Sequence, residues 1–409
     1  MLKKERAIIV GNILEWYDYA VYGALSPILA KIFFPTEKTA TALILTMVIF
    51  SSGFVLRPIS GFTFGVIADV FSKRTAFVTS LTLVSIASFF VSVLPSFHIA
   101  GYFSSLALLF CRISQGVAIG GEYPVASTYI FESSKEKTIF LTSLINSGTV
   151  MGVFIAFVVC GSVHMILNHN QMLSFGWRIP FSLTFLSSIY AIFFRLKILD
   201  DDGIIARREG GKNIFLRFVE GLRASINRRS ILVVFYLMLP ATSYYMYNIF
   251  MISFFKVSMK MTYEISLGLS LVGSLFLMFL IPAFGVLADK VGARLLAIIS
   301  LLFFISFFWV IYFGFISKNI FIILGSQLLF AIILAMSLST LPYLMCKFYP
   351  RKHRTAAFGF SYNIALTLFG GFTPAITSYF VGGLGLIYFP IIYLVLSSLV
   401  SLCALLLLR

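Results

Sequence analysis

Two carboxylates lie inside a mostly apolar stretch near the start of the chain. Glu15 and Asp18 belong to the segment GNILEWYDYAVYG, residues 11–23. Because they are three residues apart, they share one face of a helix, and Tyr22 continues that face. A carboxyl group in an apolar environment favours its neutral, protonated form. These side chains therefore have the chemistry of a proton carrier.

A second group of polar residues occurs in the segment RISQGVAIGGEYPVAST, residues 112–128. The spacing of Arg112, Gln115 and Glu122 predicts that they share one helix face, and the nearby Pro124 predicts a kink. Arg57 precedes a glycine-rich stretch in another apolar run. An ionised group at bilayer depth costs about 2.5–3.5 kcal/mol, so the five charged side chains must line a watery cavity or pair with one another.

The balance of these charges suggests what the cavity does. Three carboxylates face two arginines, which leaves one carboxylate without a full partner. Such a group suits proton transport, and an arginine suits the carboxylate of a substrate. The alternative is a purely structural ion-pair network that holds helices together.

Composition assigns the chain to the membrane proteins. Of 409 residues, 60% are hydrophobic and 11% are charged, whereas a soluble protein is about 25% charged. Lipid is therefore the expected partner of most of the surface. The net charge of +16 is divided among short loops, which argues against a nucleic-acid-binding stripe. The scattered cysteines and histidines predict no metal, disulfide or cofactor site.

The apolar runs predict an all-α membrane protein with twelve transmembrane helices, because each run has the ~20 residues that a span requires. The only long polar stretch divides the chain into two six-helix halves, residues 1–196 and 230–409, joined by a cytoplasmic loop at 197–229. The predicted spans are 7–31, 41–66, 76–95, 101–131, 139–163, 177–196, 230–255, 263–288, 295–316, 319–344, 355–381 and 384–408.

The basic residues set the expected orientation. Most lysines and arginines fall in the segments that face inward when the basic start MLKKER is cytoplasmic. We therefore expect a multi-pass protein of the bacterial inner membrane with both termini in the cytoplasm. We also expect the chain to function as a monomer.

A short repeat relates the two halves. The sequence FGVIADVFSKR at residues 64–74 returns as FGVLADKVGAR at residues 284–294, which predicts two halves related by a parallel repeat. In each copy the glycine allows two helices to approach closely. The aspartate can pair with a basic residue or cap a neighbouring helix, and thereby latch one face of the protein. The predicted gating residues are Gly65, Asp69, Lys73, Arg74, Gly285, Asp289 and Arg294.

The repeated motif resembles the motif between spans two and three of the major facilitator superfamily. The segments GNILEWYDYAVYG, RPISGFTFGVIAD, RISQGVAIGGEYPVAST, GWRIPF and FGFSYNIALTLFGGFTP resemble the metabolite:proton symporter family within it. With TSYYMYNIF in span seven, the last segment is most similar to the proline/betaine branch. The resemblance implies the major facilitator fold and proton-coupled import of a small charged metabolite, an osmolyte of the proline or glycine betaine kind, by alternating access.

The resemblance also assigns site residues, which match family motifs in spans one, four and eleven. Aromatic faces in span seven are further candidates, because they can hold a quaternary ammonium by cation–π attraction; the alternative for these is ordinary packing. The predicted substrate and proton pathway comprises Glu15, Asp18, Tyr22, Arg57, Arg112, Gln115, Glu122, Tyr244, Tyr245, Asn248, Tyr362 and Asn363.

Other functions stay open at this point. Two intramembrane arginines equally suit a di- or tricarboxylate such as 2-oxoglutarate or citrate, and the same fold also serves exporters. A membrane sensor would need a soluble output domain, for which the longest polar segment is too short. An enzyme would need a nucleophile with its base or a metal cluster, so no enzymatic activity is expected. The predicted partners are a small substrate, protons and lipid.

Overall fold

The computed structural model describes residues 3–36, 39–198, 214–317 and 319–408 as helices joined by short connections. In this part of the chain, ten helical stretches are long and apolar enough to cross a membrane, and Arg178–Phe193 is a shorter apolar helix. Helix Lys3–Phe33 adds a further span whose middle is made less apolar by Glu15 and Asp18. The prediction of twelve spans in an all-α protein is confirmed.

The first half contains six spans in sequence, and short helices at Phe97–Ala100, His169–Gln171 and Met172–Gly176 lie in its connections. Spans two and four each consist of two helical segments. The bounds of spans one to six are Lys3–Phe33; Thr39–Ser52 with Arg57–Val70; Lys73–Val93; Tyr102–Ile119 with Glu122–Ser133; Thr138–Ile166; and Arg178–Ile198.

The second half repeats this order. Span seven runs over Arg228–Ser258 and span eleven over Arg351–Gly383, both with several short π-helical turns. The segments of span seven are Arg228–Tyr236, Met238–Tyr245, Met246–Phe250, Met251–Ser253 and Phe254–Ser258, and those of span eleven are Arg351–His353, Arg354–Ala365, Leu366–Gly371, Thr373–Ser378 and Tyr379–Gly383. Spans eight, nine, ten and twelve are Tyr263–Val291, Ala293–Phe315, Ile320–Phe348 and Phe389–Leu407.

Proline explains where the interrupted spans break. Pro58, Pro124, Pro240 and Pro374 each lie about four residues after an irregular turn in spans two, four, seven and eleven. A proline has no N–H for the carbonyl four residues earlier, and its ring clashes with that carbonyl. In span four the break falls at Gly120 and Gly121, as Pro124 predicts. All four broken spans border the centre of the molecule.

The segment predicted as a central loop contains a helix. Ile214–Ser225 is helical, and Leu222 packs against a cluster that contains Phe62 and Val66 of span two and Ala356 of span eleven. Apolar residues recur about every third or fourth position of this segment, a pattern that predicts one apolar helix face. Residues 199–213 of the predicted loop lie outside the described part of the chain.

The two halves meet through two pairs of spans related by the internal repeat, two with eleven and five with eight. The backbones approach closely where glycines face each other: a Cβ on Gly61 would lie 2.8 Å from the carbonyl oxygen of Gly359. Close approach of this kind is the usual means by which helices associate in lipid. Apolar side chains such as Phe110 and Val310 point outward and are largely exposed, as expected of a surface that faces acyl chains.

Contacts join the two halves on both faces of the molecule. On the face that carries the repeated motif, hereafter the motif face, spans two and eleven are in backbone contact. On the opposite face, Tyr263 Oη of span eight donates a hydrogen bond to the Ala24 carbonyl of span one at 2.9 Å. There His164 Nε2 and Glu264 Oε1, also from different halves, are 3.2 Å apart.

Candidate substrate and proton site

A small cavity lies between the two halves. Its volume accessible to the centre of a water molecule is about 20 Å³, which is room for roughly one water. The walls come from spans one, five, seven, ten and eleven, and they are largely aromatic and apolar. The lining residues are Trp16, Asn146, Thr149, Leu237, Pro240, Ala241, Tyr244, Tyr245, Leu338, Leu341, Tyr362 and Leu366.

Aromatic rings from both halves form the cavity wall. The rings of Trp16 and Tyr244 meet edge to face with centroids 5.4 Å apart, and Tyr362 stacks on Tyr123 at 4.5 Å. The Trp16 Nε1 atom and the Tyr244 and Tyr245 hydroxyls are buried and have no hydrogen-bond partner in the part of the chain that the structure describes. A wall of this kind offers ring faces for a cation and unused polar atoms for a polar ligand.

Two buried arginines lie directly behind this wall. The guanidinium carbons of Arg57 and Arg112 are 4.7 Å and 4.8 Å from the ring centroid of Tyr19, and Tyr19 is itself in contact with Trp16 and Tyr245. Both arginines are almost wholly buried. The Nε and Nη2 atoms of each have no hydrogen-bond partner within the described residues, so four N–H-bearing nitrogens are available to an anion.

A chain of hydrogen bonds connects one of these arginines to an acid. Arg112 Nη1 donates to Gln115 Oε1 at 2.8 Å, and Gln115 Nε2 donates to Asp18 Oδ2 at 2.8 Å. The other oxygen, Asp18 Oδ1, accepts a bond from Ser88 Oγ at 2.7 Å. All four side chains are buried. The Asp18 carboxyl group and the Arg112 guanidinium are thus connected through the side-chain amide of Gln115.

The other two acids occupy different places. Glu122 begins the second segment of span four, and its Oε2 accepts a hydrogen bond from Ser80 Oγ at 3.1 Å. Glu15 is buried in span one, close enough to Tyr362 of the cavity wall for an electrostatic interaction. The five charged residues are therefore all buried. The hydrogen bonds described for Asp18 come from spans three and four, and the one described for Glu122 comes from span three, all within the first half.

The remaining pathway residues divide between the cavity and its supports. Tyr244, Tyr245 and Tyr362 line the cavity. The Asn248 side chain instead donates to the Tyr244 carbonyl at 3.1 Å and accepts from Ser274 of span eight at 3.4 Å. Its amide is used within the second half and lines no part of the cavity described above.

Two further pathway residues hold the site's framework. The Tyr22 ring lies 4.4 Å from the Arg112 guanidinium, and its hydroxyl donates to the Thr46 carbonyl of span two. Asn363 Nδ2 donates to the Gly120 carbonyl at 2.7 Å, so it joins span eleven to the break in span four across the two halves.

Several site residues escaped the sequence analysis. Tyr19 lies four residues after Glu15, and helical spacing could have placed it on the same face. Ser80 and Ser88 of span three, Tyr123 of span four and Asn146 of span five gave no signal, because small or aromatic polar residues are common in membrane helices. Asn146 Nδ2 donates to the Leu338 carbonyl of span ten at 2.7 Å, which is another bond between the halves.

The two motif aspartates cap helices of the opposite half. Asp69 Oδ2 of span two accepts a bond from the Ala356 N–H at the start of span eleven, at 3.0 Å. Asp289 of span eight accepts from the N–H groups of Ile139 and Phe140 at the start of span five, both at 3.0 Å. A carboxylate at a helix N-terminus is favourable both as a cap and by the helix dipole. Of the two roles expected for these aspartates, the structure has the cap.

The basic residues of the motif do not all act between the halves. Lys73 Nζ is 2.9 Å from Glu132, which Arg354 of span eleven also contacts at 2.8 Å. Arg74 donates instead to the Leu196 carbonyl, and Arg294 donates to the Leu405 carbonyl. These two arginines satisfy the last carbonyls of spans six and twelve, each within its own half. The gating role predicted for Arg74 and Arg294 stays a prediction, and their hydrogen bonds to these carbonyls do not cross between the halves.

The motif glycines have no room for a side chain. A Cβ on Gly65 would lie 2.6 Å from the Ala356 Cα and 2.9 Å from its nitrogen, and one on Gly285 would lie 2.4 Å from the Ser143 hydroxyl. The obstacle at Gly65 is backbone, which cannot rotate away. The expected close approach of helices at both glycines is confirmed.

Replacing Gly65 by valine should therefore prevent the closure of the motif face. Overpacking of this kind costs about 1–3 kcal/mol, which favours conformations in which spans two and eleven are apart. We expect the distance between spin labels on these spans, measured by pulsed electron paramagnetic resonance, to shift to longer values. Gly268→Ala is the control, because a Cβ there meets nothing within 4 Å. An unchanged distance distribution in Gly65→Val would contradict the close-packing role.

Comparison with known proteins agrees with this architecture. The family model "Sugar (and other) transporter" matches residues 6–200. The proline/betaine transporter of Salmonella typhimurium is 27% identical over 414 residues, which cover 97% of this chain and 81% of the relative. A putative proline/betaine transporter of Staphylococcus aureus is 27% identical over 402 residues, covering 96% of this chain and 84% of the relative.

Solved structures share the fold. A proton:xylose symporter bound to 6-bromo-6-deoxy-D-glucose superposes with a TM-score of 0.78 at 16% identity, covering 99% of this chain and 94% of the symporter. A bacterial homologue of the iron transporter ferroportin, in an outward-facing state, gives 0.70 at 16% identity and covers 98% and 99% of the two chains.

The fold and these similarities define the class: the chain is a multi-pass membrane protein that resembles transporters of the major facilitator superfamily, and the proteins it resembles are transporters, not enzymes. Within that class its sequence is similar to proline/betaine transporters over nearly its whole length. Both steps of the resemblance seen in the sequence motifs are thereby confirmed.

Proposed function

We propose that the protein imports a small carboxylate-bearing metabolite together with a proton, by alternating access. The observation that carries this proposal is the pair of buried arginines that both contact the Tyr19 ring, with unused N–H groups one ring layer behind the central cavity. Buried guanidinium nitrogens that have no hydrogen-bond partner among the described residues are unfavourable in lipid. A substrate carboxylate would bring a negative charge and accept paired hydrogen bonds.

The aromatic wall favours a zwitterion of the proline or glycine betaine kind. The carboxylate of such a molecule would meet Arg112 or Arg57, and its ammonium group would meet the faces of Trp16, Tyr244 and Tyr362. The similarity to proline/betaine transporters supports the same substrate class. The second candidate is a di- or tricarboxylate, which the presence of two arginines with unused donors also favours.

Asp18 is our candidate for the proton carrier. It is fully buried, and its contact with Arg112 passes through Gln115 instead of a direct ion pair. When a substrate carboxylate takes up the positive charge of Arg112, less of that charge remains to stabilise ionised Asp18, which then favours a proton. Substrate and proton would thus bind cooperatively. Glu15 and Glu122 remain further candidates along the pathway.

During transport, the two halves would separate on one face of the molecule and then on the other. The helix caps at Asp69 and Asp289 close the motif face, and the contacts of Tyr263 and His164 close the other. We propose that the motif face is cytoplasmic, that both termini lie there, and that the protein resides in the bacterial inner membrane. We also propose that residues 1–196 and 230–409, which residues 197–229 join, rock against each other about the pseudo-twofold axis that relates them, and that one chain is sufficient for transport.

Transport into proteoliposomes tests this proposal. We expect radiolabelled proline or glycine betaine to accumulate against its gradient when the lumen is made alkaline, and to equilibrate only when the pH gradient is collapsed with an ionophore. 2-Oxoglutarate and citrate form the comparison arm, and accumulation of these alone would favour the second candidate. Accumulation that is indifferent to the pH gradient would contradict proton coupling.

A further inference from the structure

A cleft much larger than the central cavity opens on the motif face, away from that cavity. It has a volume of about 690 Å³ and lies where the connection between spans four and five meets spans eight, nine and ten. We call it the basic cleft and define it by six of its lining residues: Lys135, Lys137, Asp289, Arg294, Leu295 and Lys347. None of these side chains lines the central cavity.

The charge in the basic cleft is predominantly positive. Four cationic side chains line it against two carboxylates, Glu136 and Asp289. Both oxygens of Asp289 already accept N–H groups from the start of span five, so this carboxylate is engaged by the helix terminus. Within the described residues, Lys135 and Lys137 form no ion pair. The cleft therefore retains positive charge that a mobile anion could neutralise.

The rim of the basic cleft is apolar and faces outward. The side chains of Val291 and Leu295 are 44% and 52% exposed, and both line the cleft. Span nine begins at Ala293, so these residues mark the level at which the membrane-spanning helix enters the lipid. Positive charge beside exposed apolar groups at that level matches a molecule with an anionic head and an acyl tail.

We propose that the basic cleft binds the phosphodiester headgroup of an anionic phospholipid. The lysine ammonium groups contact the phosphate oxygens by charge-assisted hydrogen bonds, and an acyl chain lies along Leu295 and Val291. The location in the cytoplasmic leaflet rests on the proposed orientation, in which the motif face is cytoplasmic. Lipid, and not a soluble phosphate, is the occupant because the cleft opens between exposed apolar side chains.

Lipid binding there would stabilise one conformation of the transporter. Lys135 and Lys137 belong to the first half, whereas Arg294 and Lys347 belong to the second. An anion between them joins the halves on the same side as the Asp289 cap. It therefore favours the closed motif face, and by linkage the closed motif face binds the lipid more tightly.

Native mass spectrometry of the purified full-length transporter tests the site. The probe is phosphatidylglycerol, compared with phosphatidylcholine, and the test variant carries Lys135→Gln, Lys137→Gln and Lys347→Gln. Each lysine near an anionic lipid contributes a factor of about five in affinity, so the triple replacement should lower phosphatidylglycerol binding at least about tenfold. The variant Lys290→Gln is the matched control, because it removes one exposed charge at the end of span eight from a residue that is not among those lining the cleft, and it should bind nearly as the wild type does.

Two further arms identify the source of the phosphate and the consequence for transport. Inorganic phosphate at millimolar concentration should not displace phosphatidylglycerol; displacement would overturn the assignment to lipid. Uptake in vesicles of phosphatidylcholine alone, compared with vesicles containing one quarter phosphatidylglycerol, should differ for the wild type and Lys290→Gln but not for the triple variant. Equal phosphatidylglycerol binding by the triple variant and the wild type would overturn the proposal. A wild type that binds lipid but transports nothing would count against the proposed function alone.

Discussion

Asp18→Asn should abolish accumulation driven by a pH gradient while leaving exchange of substrate across the membrane. Asparagine has the size of aspartate but cannot take up and release a proton, so it holds the site permanently in its neutral form. The side-chain carbonyl of the asparagine can still accept a hydrogen bond from Ser88. In the wild type, Ser88 Oγ of span three donates this bond to Asp18 of span one at 2.7 Å. We expect counterflow of labelled substrate to stay within about threefold of wild type, since a neutral Asp18 is the form expected with substrate bound. Concentrative uptake should fall by at least about 100-fold, because it depends on the proton step.

Two variants serve as controls for this prediction. Glu122→Gln changes an acid that accepts a hydrogen bond from Ser80, and Glu15→Gln changes an acid that interacts electrostatically with Tyr362 of the cavity wall. If Asp18 alone carries the coupled proton, both should retain concentrative uptake. Accumulation by Asp18→Asn at the wild-type level, with a fully retained pH dependence, would transfer the role to one of the other acids.

Arg112→Gln should cause the largest loss of substrate affinity. Removal of one partner from a buried, hydrogen-bonded charge pair costs about 2–5 kcal/mol, so we expect the KM for uptake to rise by roughly 100-fold or more. The glutamine retains a donor but no charge, and it loses the contact of the guanidinium with the Tyr22 and Tyr19 rings. Arg112→Lys keeps the positive charge but lacks the planar guanidinium that donates paired hydrogen bonds. Its KM should therefore lie between those of the wild type and Arg112→Gln.

An analogue without the carboxylate makes this experiment specific. The wild type should discriminate strongly between a carboxylate substrate and its amide, whereas Arg112→Gln should discriminate little, because the guanidinium that reads the carboxylate is gone. Arg178→Gln is the control. Arg178 donates a hydrogen bond to the Leu94 carbonyl at 2.7 Å and is not among the residues that line the central cavity. Undiminished discrimination by Arg112→Gln would place carboxylate recognition elsewhere, with Arg57 as the next residue to test.

The fold was largely predictable because the membrane simplifies the problem. Each crossing must satisfy its own backbone hydrogen bonds in a helix, and lipid requires about 20 apolar residues for it. Hydropathy alone therefore located the spans, and the repeated Gly-x-x-x-Asp motif related the halves. The exception was the helix Ile214–Ser225, which the overall polarity of its segment concealed because only one of its faces is apolar.

The gating motif was predictable in part. A glycine without space for a side chain and an aspartate near a helix start were both expected, and Gly65 and Asp69 have these roles. The sequence left open whether the aspartate would pair with a base or cap a helix. It also placed Arg74 and Arg294 in the gate, although each satisfies the end of a helix in its own half. Sequence proximity to a motif does not determine the direction of a long, flexible side chain.

The sequence by itself determined that this protein spans the membrane twelve times, that its halves repeat, and which charged residues lie at bilayer depth. These properties follow from local composition and spacing, because lipid acts on every segment in the same way. Only the tertiary structure decided which side chains meet: Ser88 with Asp18 across 70 residues of sequence, and Asn363 with Gly120 across 243. The rotation of each helix about its axis sets those contacts. In helices that are apolar on nearly every face, hydropathy carries little information about that rotation, so packing between spans must fix it.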